Sequence, residues 1–363
     1  MLFSLGFLIL YFTLFGILLA LWWNRHPKAL PPLTRFPKVS ILIAARNEED
    51  HILTCLEALD RLKYPKDRIE VLVGDDRSTD KTRQLVEAFR QSHPYVSCHG
   101  IIHDIQGTKG KANVLAQLAQ LATSDIFFIT DADIEVPPRW LEMLLQHLTP
   151  GTGIVTGITT TKGTKLFDRL QTLDWLYNLG LMQVVADRNL PVSTMGNNML
   201  VTREAYKAVG GFENIPFSIT EDVQLFKQVL AKGYKTKNVY HHQVLALSYP
   251  APNLMTLLQQ RRRWMRGSVH LPWYMLLLFV IHSCYYPVWL PFFTHASVGI
   301  WFAIFLAKVL LQSLFLQKCL TQLGRRTIWK DLILLEVYLL FTSLILIAFF
   351  FLPFKIRWKG RLY

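Results

Sequence analysis

The chain has 363 residues, of which 51% are hydrophobic, and carries a formal net charge of +13 at pH 7. The apolar residues gather at the two ends and much of the excess Lys and Arg flanks them, which favours a membrane surface over nucleic acid as the partner of that charge. The four cysteines (Cys55, Cys98, Cys284 and Cys319) show no C-x-x-C spacing, so reduced thiols are expected, with no zinc site and no disulfide framework.

Leu2–Trp23 contains no charged residue across 22 positions, enough to span a bilayer. It ends in Trp22-Trp23-Asn24-Arg25, an aromatic belt followed by a cation, and lacks a basic leader and a small-residue cleavage site. An uncleaved anchor is therefore expected. Arg25, Lys28, Arg35 and Lys38 place the next segment on the cytoplasmic side by the positive-inside bias. Pro31-Pro32 and Pro37 mark a linker. The expected divisions are an anchor (1–24), a linker (25–37), a cytosolic domain (38–268) and a C-terminal membrane region (269–363).

Residues 38–45 read as a buried strand ending in Arg46-Asn47-Glu48, and 50–62 have helical spacing. A second strand, 69–74, ends in Asp75-Asp76; a helix over 82–91, a possible strand over 98–103 and a helix over 113–122 follow. Then Ile126-Phe127-Phe128-Ile129 stops abruptly at Thr130-Asp131-Ala132-Asp133. Strands alternating with helices imply a mainly parallel sheet, which lines up all three polar strand ends along one edge, where open α/β sheets keep their ligands. In extended chain Asp131 and Asp133 point the same way and can share one cation, or they simply end the strand in a surface turn. No Gly-x-Gly-x-x-Gly follows the first strand and no P-loop pattern occurs.

Residues 151–163 read as strand and turn, 167–185 as an apolar helix, and Val223 onward as a helix preceded by Thr220-Glu221-Asp222. Gln260, Arg263 and Trp264 stand just before the membrane region, with Arg261, Arg262 and Arg266 as ordinary juxtamembrane cations. Three apolar stretches follow, 271–293, 297–316 and 332–354. Three crossings put the basic residues 355–361 outside, while Arg325, Arg326 and Lys330 lie inside. Both basic segments share the cytoplasmic side only if one stretch is interfacial or re-entrant. The parity between them is set by 332–354, where Glu336 makes a partial insertion conceivable.

Asp75-Asp76-x-Ser78, Asp131-x-Asp133, Thr220-Glu221-Asp222 and Gln260-x-x-Arg263-Trp264, in that order, resemble the membrane-bound family 2 glycosyltransferases. That group has the GT-A fold and includes cellulose and hyaluronan synthases and ceramide-, carotenoid- and hopanoid-glucosyltransferase-like enzymes. The resemblance covers 38–268 motif by motif and implies an α/β nucleotide-sugar-binding domain with a mixed, mainly parallel sheet, plus transmembrane helices at both ends. It further implies an inverting enzyme of the bacterial inner membrane, its catalytic domain cytosolic, moving a sugar from a nucleotide-sugar donor, a UDP-hexose, to a membrane lipid. The alternatives are a small processive polysaccharide synthase, a polyprenyl-phosphate sugar transferase or, in another class, a non-catalytic scaffold.

By the same resemblance Asp75 or Asp76 holds the uridine, helped by Arg46, Asn47 and Glu48. Asp131 and Asp133 meet the diphosphate through Mg²⁺ or Mn²⁺, Asp131 also serving the donor. Lys109 and Lys111, in a segment similar to the family's Gly-Lys-x-x-Ala-Leu-Asn, pair with phosphate or stand in a solvated loop. Asp222 is the candidate general base and Glu221 its substitute; the pair could equally cap a helix, with Thr220 as N-cap. Gln260, Arg263 and Trp264 belong to the acceptor and diphosphate site. Gly196-Asn197-Asn198 is either near the acceptor or a plain turn. Arg77 stands where the family has Gly, beside the nucleotide site, and His241-His242 is expected to be structural.

Overall fold

The structure is a computed structural model that describes residues 2–26, 30–105, 107–216, 218–268, 270–289, 297–351, 357–358 and 361–362. Lys28, Pro291, residues 352–354 and part of the basic segment 355–361 lie outside the described residues. The first half runs α1 (Leu2–Trp23), β1 (Val39–Ala45), α2 (Ile52–Asp60), β2 (Ile69–Asp75), α3 (Thr82–Arg90), β3 (Val96–Gly100), α4 (Gly110–Leu121) and β4 (Ile126–Asp131). The second half adds α5 (Trp140–Gln146), β5 (Thr152–Thr156), β6 (Ile158–Thr161), α6 (Leu166–Ala186), β7 (Asn198–Thr202), α7 (Arg203–Ala208), α8 (Gly211–Asn214), α9 (Glu221–Ala231), β8 (Lys235–Asn238), β9 (Leu245–Ser248) and α10 (Leu254–Ser268). Then come α11 (Trp273–Ser283), α12 (Tyr285–Trp289), α13 (Val298–Gln322) and α14 (Trp329–Phe351).

The apolar runs of β1, β2 and β4 fill the middle of a seven-stranded sheet of order β3-β2-β1-β4-β7-β5-β8. β1 to β4 are mutually parallel, β7 runs antiparallel between β4 and β5, and β8 is parallel to β5. The sheet is thus mixed and mainly parallel. A helix-covered strand needs apolar side chains on both faces, and Ile41, Ile43, Phe127, Phe128 and Ile129 are all buried. β6 and β9 form a second, two-stranded parallel sheet, joined to the loop after β4 by the Glu135–Leu247 bridge.

Several boundaries differ from the sequence reading, β3 and α4 among them. β3 lies two residues earlier than expected, because Val96 to Gly100 pair with Val71 to Asp75 and Ile101 already turns off the ladder. α4 starts at Gly110, whose φ of +58° lets the chain turn into the helix three residues early.

α6 connects the sheet to the apolar helices. It packs on β6, where the Thr172 hydroxyl donates to Thr161 O at 3.1 Å, and against α13, where a Cβ on Gly180 would lie 2.5 Å from Cys319 Sγ. One apolar core therefore runs from β1 and α2 through α6 to α1 and α13. α1, α13 and residues Trp329–Phe349 of α14 are each long and apolar enough to cross a membrane. The expected span 271–293 is broken instead: α11 ends at Ser283 and α12 begins at Tyr285. Pro287 explains the break, since it has no N–H to give Ser283 O and its ring crowds that carbonyl.

Candidate active site

Three strand ends build the site. Register places Ala45 of β1 opposite Asp75 of β2 and Ala44 opposite Asp131 of β4. With strands about 4.8 Å apart, Asp75 and Asp131 stand roughly 10 Å from each other across β1. Asp75 and Asp76 are both buried. The loops after β1 and β2 are stitched together: Asn47 N–H donates to Ser78 Oγ at 3.0 Å, Thr79 N–H to Asn47 Oδ1 at 2.9 Å, and Glu48 N–H to Thr82 Oγ1 at 2.8 Å. Arg46 donates to Asp76 O at 2.9 Å. Arg46, Asn47, Glu48, Asp75 and Asp76 are thus brought into one wall.

Arg77 has φ +57°, in the left-handed region that favours glycine. Its guanidinium turns to Ile102 O (3.1 Å) and Asp104 Oδ1 (3.0 Å), so the cation is tied to the loop after β3. That loop is organised by the buried Asn113, which accepts from Ile105 N–H (2.8 Å) and Thr108 (3.0 Å) and donates to His103 O (3.0 Å). Lys109 is exposed at the N-cap of α4.

Lys111, one residue into α4, is the centre of the second wall. Its Nζ lies 2.5 Å from Asp131 Oδ1 and 3.2 Å from Glu221 Oε1, and donates to Gly196 O at 3.4 Å. Burial works against its charge, but Asp131, Glu221 and Asp222 outweigh burial and hold its pKa above the usual lysine range. Glu221 is raised by burial and by Asp222, with Lys111 opposing. Asp133 is pushed up to about 6 by burial and by the charge of Asp131, and accepts from the Ser248 hydroxyl at 3.4 Å.

Asp222 is fixed by backbone donors: Gly196 N–H to Oδ2 at 2.7 Å and Val223 N–H to Oδ1 at 2.9 Å. A Cβ on Gly196 would lie 2.7 Å from Asp222 Cβ, so only glycine fits there. Gly196 thus touches Asp222 through its N–H and Lys111 through its carbonyl. Its neighbours are structural, since the Asn198 amide donates to Ile158 O and Val244 O and accepts from the Trp140 indole. α9 begins at Glu221, two residues earlier than expected, and Thr220 makes no side-chain cap bond. The capping role proposed for Thr220 does not hold; its hydroxyl pairs with Ser218.

α10 reaches this wall at its C-terminal end, where a Cβ on Gly267 would lie 2.5 Å from Thr220 Cγ2. Gln260, Arg263 and Trp264 are half-buried on α10, and the Trp264 ring packs on Trp175 of α6 at 4.4 Å. Arg261 and Arg262 are not free juxtamembrane cations. Arg261 donates to Asp174 of α6 at 2.6 Å and lies over both tryptophan rings, and Arg262 is buried. α6 occupies the face on which a solvated cation was expected. The His241 and His242 rings lie 4.2 Å apart, tilted by 37°, in a turn after β8.

The sequence reading passed over a third group. Tyr249 lies 3.9 Å from the His51 ring and under Lys162 Nζ at 3.8 Å, and Lys162 pairs with Glu135. These residues flank Asp133, but their partners come from four separate loops, a proximity no local spacing announces. Cys55 also belongs here, its Sγ donating to Asp131 O at 3.5 Å from beneath.

The model of glycosyl transferase family 21 matches residues 6–363 of the chain. A probable glycosyltransferase, YdaM, of Bacillus subtilis is 27% identical over 255 residues, which are 67% of this chain and 58% of that protein. A beta-monoglucosyldiacylglycerol synthase of Synechocystis is 27% identical over 252 residues (67% and 51%). A poly-beta-1,6-N-acetyl-D-glucosamine synthase of Staphylococcus aureus is 27% identical over 235 residues (63% and 54%). The chain spans about half the length of the curated relatives it matches. Among solved structures, a mannosyltransferase of Pyrobaculum calidifontis in complex with GDP-Man and Mn²⁺ superposes with a TM-score of 0.59 at 18% identity, covering 95% of each chain. That likeness shows a shared fold.

Proposed function

The chain belongs to glycosyl transferase family 21, and from that premise we propose an inverting enzyme that moves a hexose from a UDP-sugar to a lipid held at the membrane surface. The observation that carries this reading is the convergence of Asp131, Glu221 and Asp222 on Lys111, beside Asp133 and one strand away from the Asp75-Asp76 wall. Asp131 and Asp133 fit a divalent cation: both are half-buried, one residue apart in sequence, and desolvation together with the charge of Asp131 raises the pKa of Asp133. A hard cation held by two carboxylates takes its remaining ligands from phosphate oxygens and water. Bound there, Mg²⁺ or Mn²⁺ offsets the charge of the diphosphate leaving group.

The protein's own residues do the rest. Arg46, Asn47, Glu48, Asp75 and Asp76 hold the nucleoside, and Lys111 meets the phosphates. Lys109, at the mouth of α4, adds a cation where the helix N-terminus already favours anions. Asp222 takes the acceptor hydroxyl's proton as that oxygen bonds to the anomeric carbon and the sugar–phosphate bond breaks, releasing nucleoside diphosphate. The two N–H donors to its oxygens fix its aim. Glu221, paired with Lys111, holds that lysine. Gln260, Arg263 and Trp264 approach from the membrane edge.

The lipid acceptor rests on the apolar helices that share a core with the catalytic unit and on the glucosyldiacylglycerol synthases among the relatives. The test is incubation of the purified full chain with UDP-glucose, UDP-N-acetylglucosamine or GDP-mannose and a bacterial lipid extract, read by lipid mass spectrometry. A lipid gaining one hexose, only with Mg²⁺ or Mn²⁺ present, is expected. Long polymer made from the donor alone would replace this reading with a processive synthase.

A further inference from the structure

Lys111 is the second residue of α4, and its arm links three segments that carry the site. Its ammonium lies 2.5 Å from Asp131 Oδ1 at the end of β4 and 3.2 Å from Glu221 Oε1 at the start of α9. It also donates to Gly196 O, ahead of β7, at 3.4 Å. The backbone beneath it is fixed, because Gly110 turns the chain into the helix at φ +58° and the next two residues, Ala112 and Asn113, are buried. Only the flexible stem of the lysine can move its charge.

That stem lays the ammonium on a carboxylate that the cation also needs. Asp131 Oδ1 is closed off from solvent, although a third of the Asp131 side chain stays open. The side chains of Lys111 and Glu221 are 12% and 14% exposed. Asp222 is turned to the backbone instead, its two oxygens accepting from the N–H groups of Gly196 and Val223. A divalent ion and an ammonium on the same carboxylate repel at close range. With Asp131 held by Lys111, such an ion is left with Asp133. A hard cation, with about six oxygen ligands to fill, gains little from one carboxylate.

A nucleoside diphosphate changes both sides of that exchange. Its oxygens give the ammonium a charge-assisted partner in place of Asp131, and they give the cation further ligands. Every charge then has a partner, which neither ligand achieves alone. Metal by itself strands the Lys111 charge, and nucleotide by itself meets the surplus of Asp131, Asp133, Glu221 and Asp222.

We propose that Lys111 competes with the divalent cation for Asp131 and gives up that carboxylate only to the diphosphate, so that metal and nucleotide bind as a unit rather than metal first. Glu221 steers the exchange, since at 3.2 Å it keeps one carboxylate on the ammonium while Asp131 is released. The movement also reaches Asp222, because Gly196 accepts from Lys111 through its carbonyl and donates to Asp222 through its N–H. Donor binding is thereby relayed to the base through one residue.

This inference rests on the nucleotide-sugar reading for its second ligand, but the competition itself is measured with metal alone. The probe is Mn²⁺, its free fraction counted by electron paramagnetic resonance with the purified full chain and no nucleotide. A competitor on Asp131 lowers the apparent metal affinity in proportion to the fraction of sites left open. Lys111→Met is therefore expected to bind Mn²⁺ about tenfold more tightly than the wild type, or better. The double variant Lys111→Met, Glu221→Gln loses one charge of each sign and should show the same gain, which net charge then cannot explain. Adding Asp131→Asn to Lys111→Met should cancel it. With uridine diphosphate present the order reverses: the wild type holds Mn²⁺ about tenfold more tightly than Lys111→Met, which lacks the phosphate partner.

A lysine that only binds phosphate leaves Mn²⁺ binding without nucleotide unchanged, and one that only holds the fold weakens it on removal. Either result overturns the proposal, as does a gain that survives Asp131→Asn or an order that fails to reverse with nucleotide. Should Lys111→Met fail to fold, the double variant, whose site keeps the wild-type net charge, decides on the same criterion. If uridine diphosphate adds nothing to Mn²⁺ binding in any of these proteins, the nucleotide reading falls, while the metal-alone comparison still decides the competition.

Discussion

Lys111, half-buried, and Lys308, buried, each hold carboxylates in this molecule, and they differ in charge balance. Lys111, at the edge of the sheet, faces Asp131 and Glu221, with Asp222 close behind and Asp133 beside them. Lys308, among the apolar helices, has Glu336 as its ion-pair partner among the described residues, and Tyr286 also donates to that carboxylate. Lys308 and Glu336 are 3% and 1% exposed, whereas Asp131 keeps a third of its side chain open. The balanced pair has no charge left for a ligand and is sealed. The unbalanced one has surplus negative charge at an opening, a condition that a cation and its phosphate partner relieve. Local surplus, rather than burial or ion pairing as such, separates the candidate site from a structural weld.

The largest losses are expected at the carboxylates. Asp133→Asn and Asp222→Asn are each expected to lower sugar transfer by about 10³-fold or more, while circular dichroism and membrane insertion stay as in the wild type. Full activity in both would place the chemistry elsewhere. Next, Lys111→Met is expected to cut kcat/KM by about 100-fold, because the phosphate partner goes and like charges are left unneutralised. Lys308→Met is the control: it should cost about 3 kcal/mol in denaturant unfolding by stranding Glu336, with transfer per folded molecule unchanged. Adding Glu336→Leu should restore most of that stability. A loss of transfer in Lys308→Met at full stability would erase the distinction.

Smaller effects sharpen it. Gly196→Ala places a Cβ 2.7 Å from Asp222 Cβ, and is expected to lower kcat about tenfold with donor KM kept, since the base is displaced while the nucleotide wall is not. Ser248→Ala removes one long hydrogen bond to Asp133; about a threefold weaker response to Mn²⁺ in the transfer assay is expected.

Much of this could be read in the sequence, for a physical reason. β1, β2 and β4 are buried on both faces, so each is a continuous apolar run that ends where the chain meets water, and the polar residues after each run fall on one edge. The second half was less legible. β7 offers only Met199-Leu200-Val201 between polar residues, and β8 alternates exposed and half-buried positions, so neither announces itself. α5 is a seven-residue helix whose place is set by packing on Phe128 and the Asn198 amide. Arg261 read as a membrane-edge cation because its partner Asp174 is 87 residues away in sequence. The motifs Asp131-x-Asp133 and Thr220-Glu221-Asp222 were visible, and the resemblance set Lys111 beside the phosphates and offered an acceptor role for Gly196; that Lys111 pairs with both Asp131 and Glu221 while Gly196 fixes Asp222 was not legible, since Lys111 and Gly196 are 85 residues apart in sequence.

On the proposed function the surplus carboxylates serve a cation-bound nucleoside diphosphate and Asp222 serves a later step. Calorimetric titration of UDP into the purified chain tests it most directly, with Mn²⁺ and with chelator, for the wild type, Asp133→Asn and Asp222→Asn. Binding to the wild type and Asp222→Asn only with Mn²⁺, and its loss in Asp133→Asn, is the predicted result. Equal binding by all three proteins in chelator would contradict it.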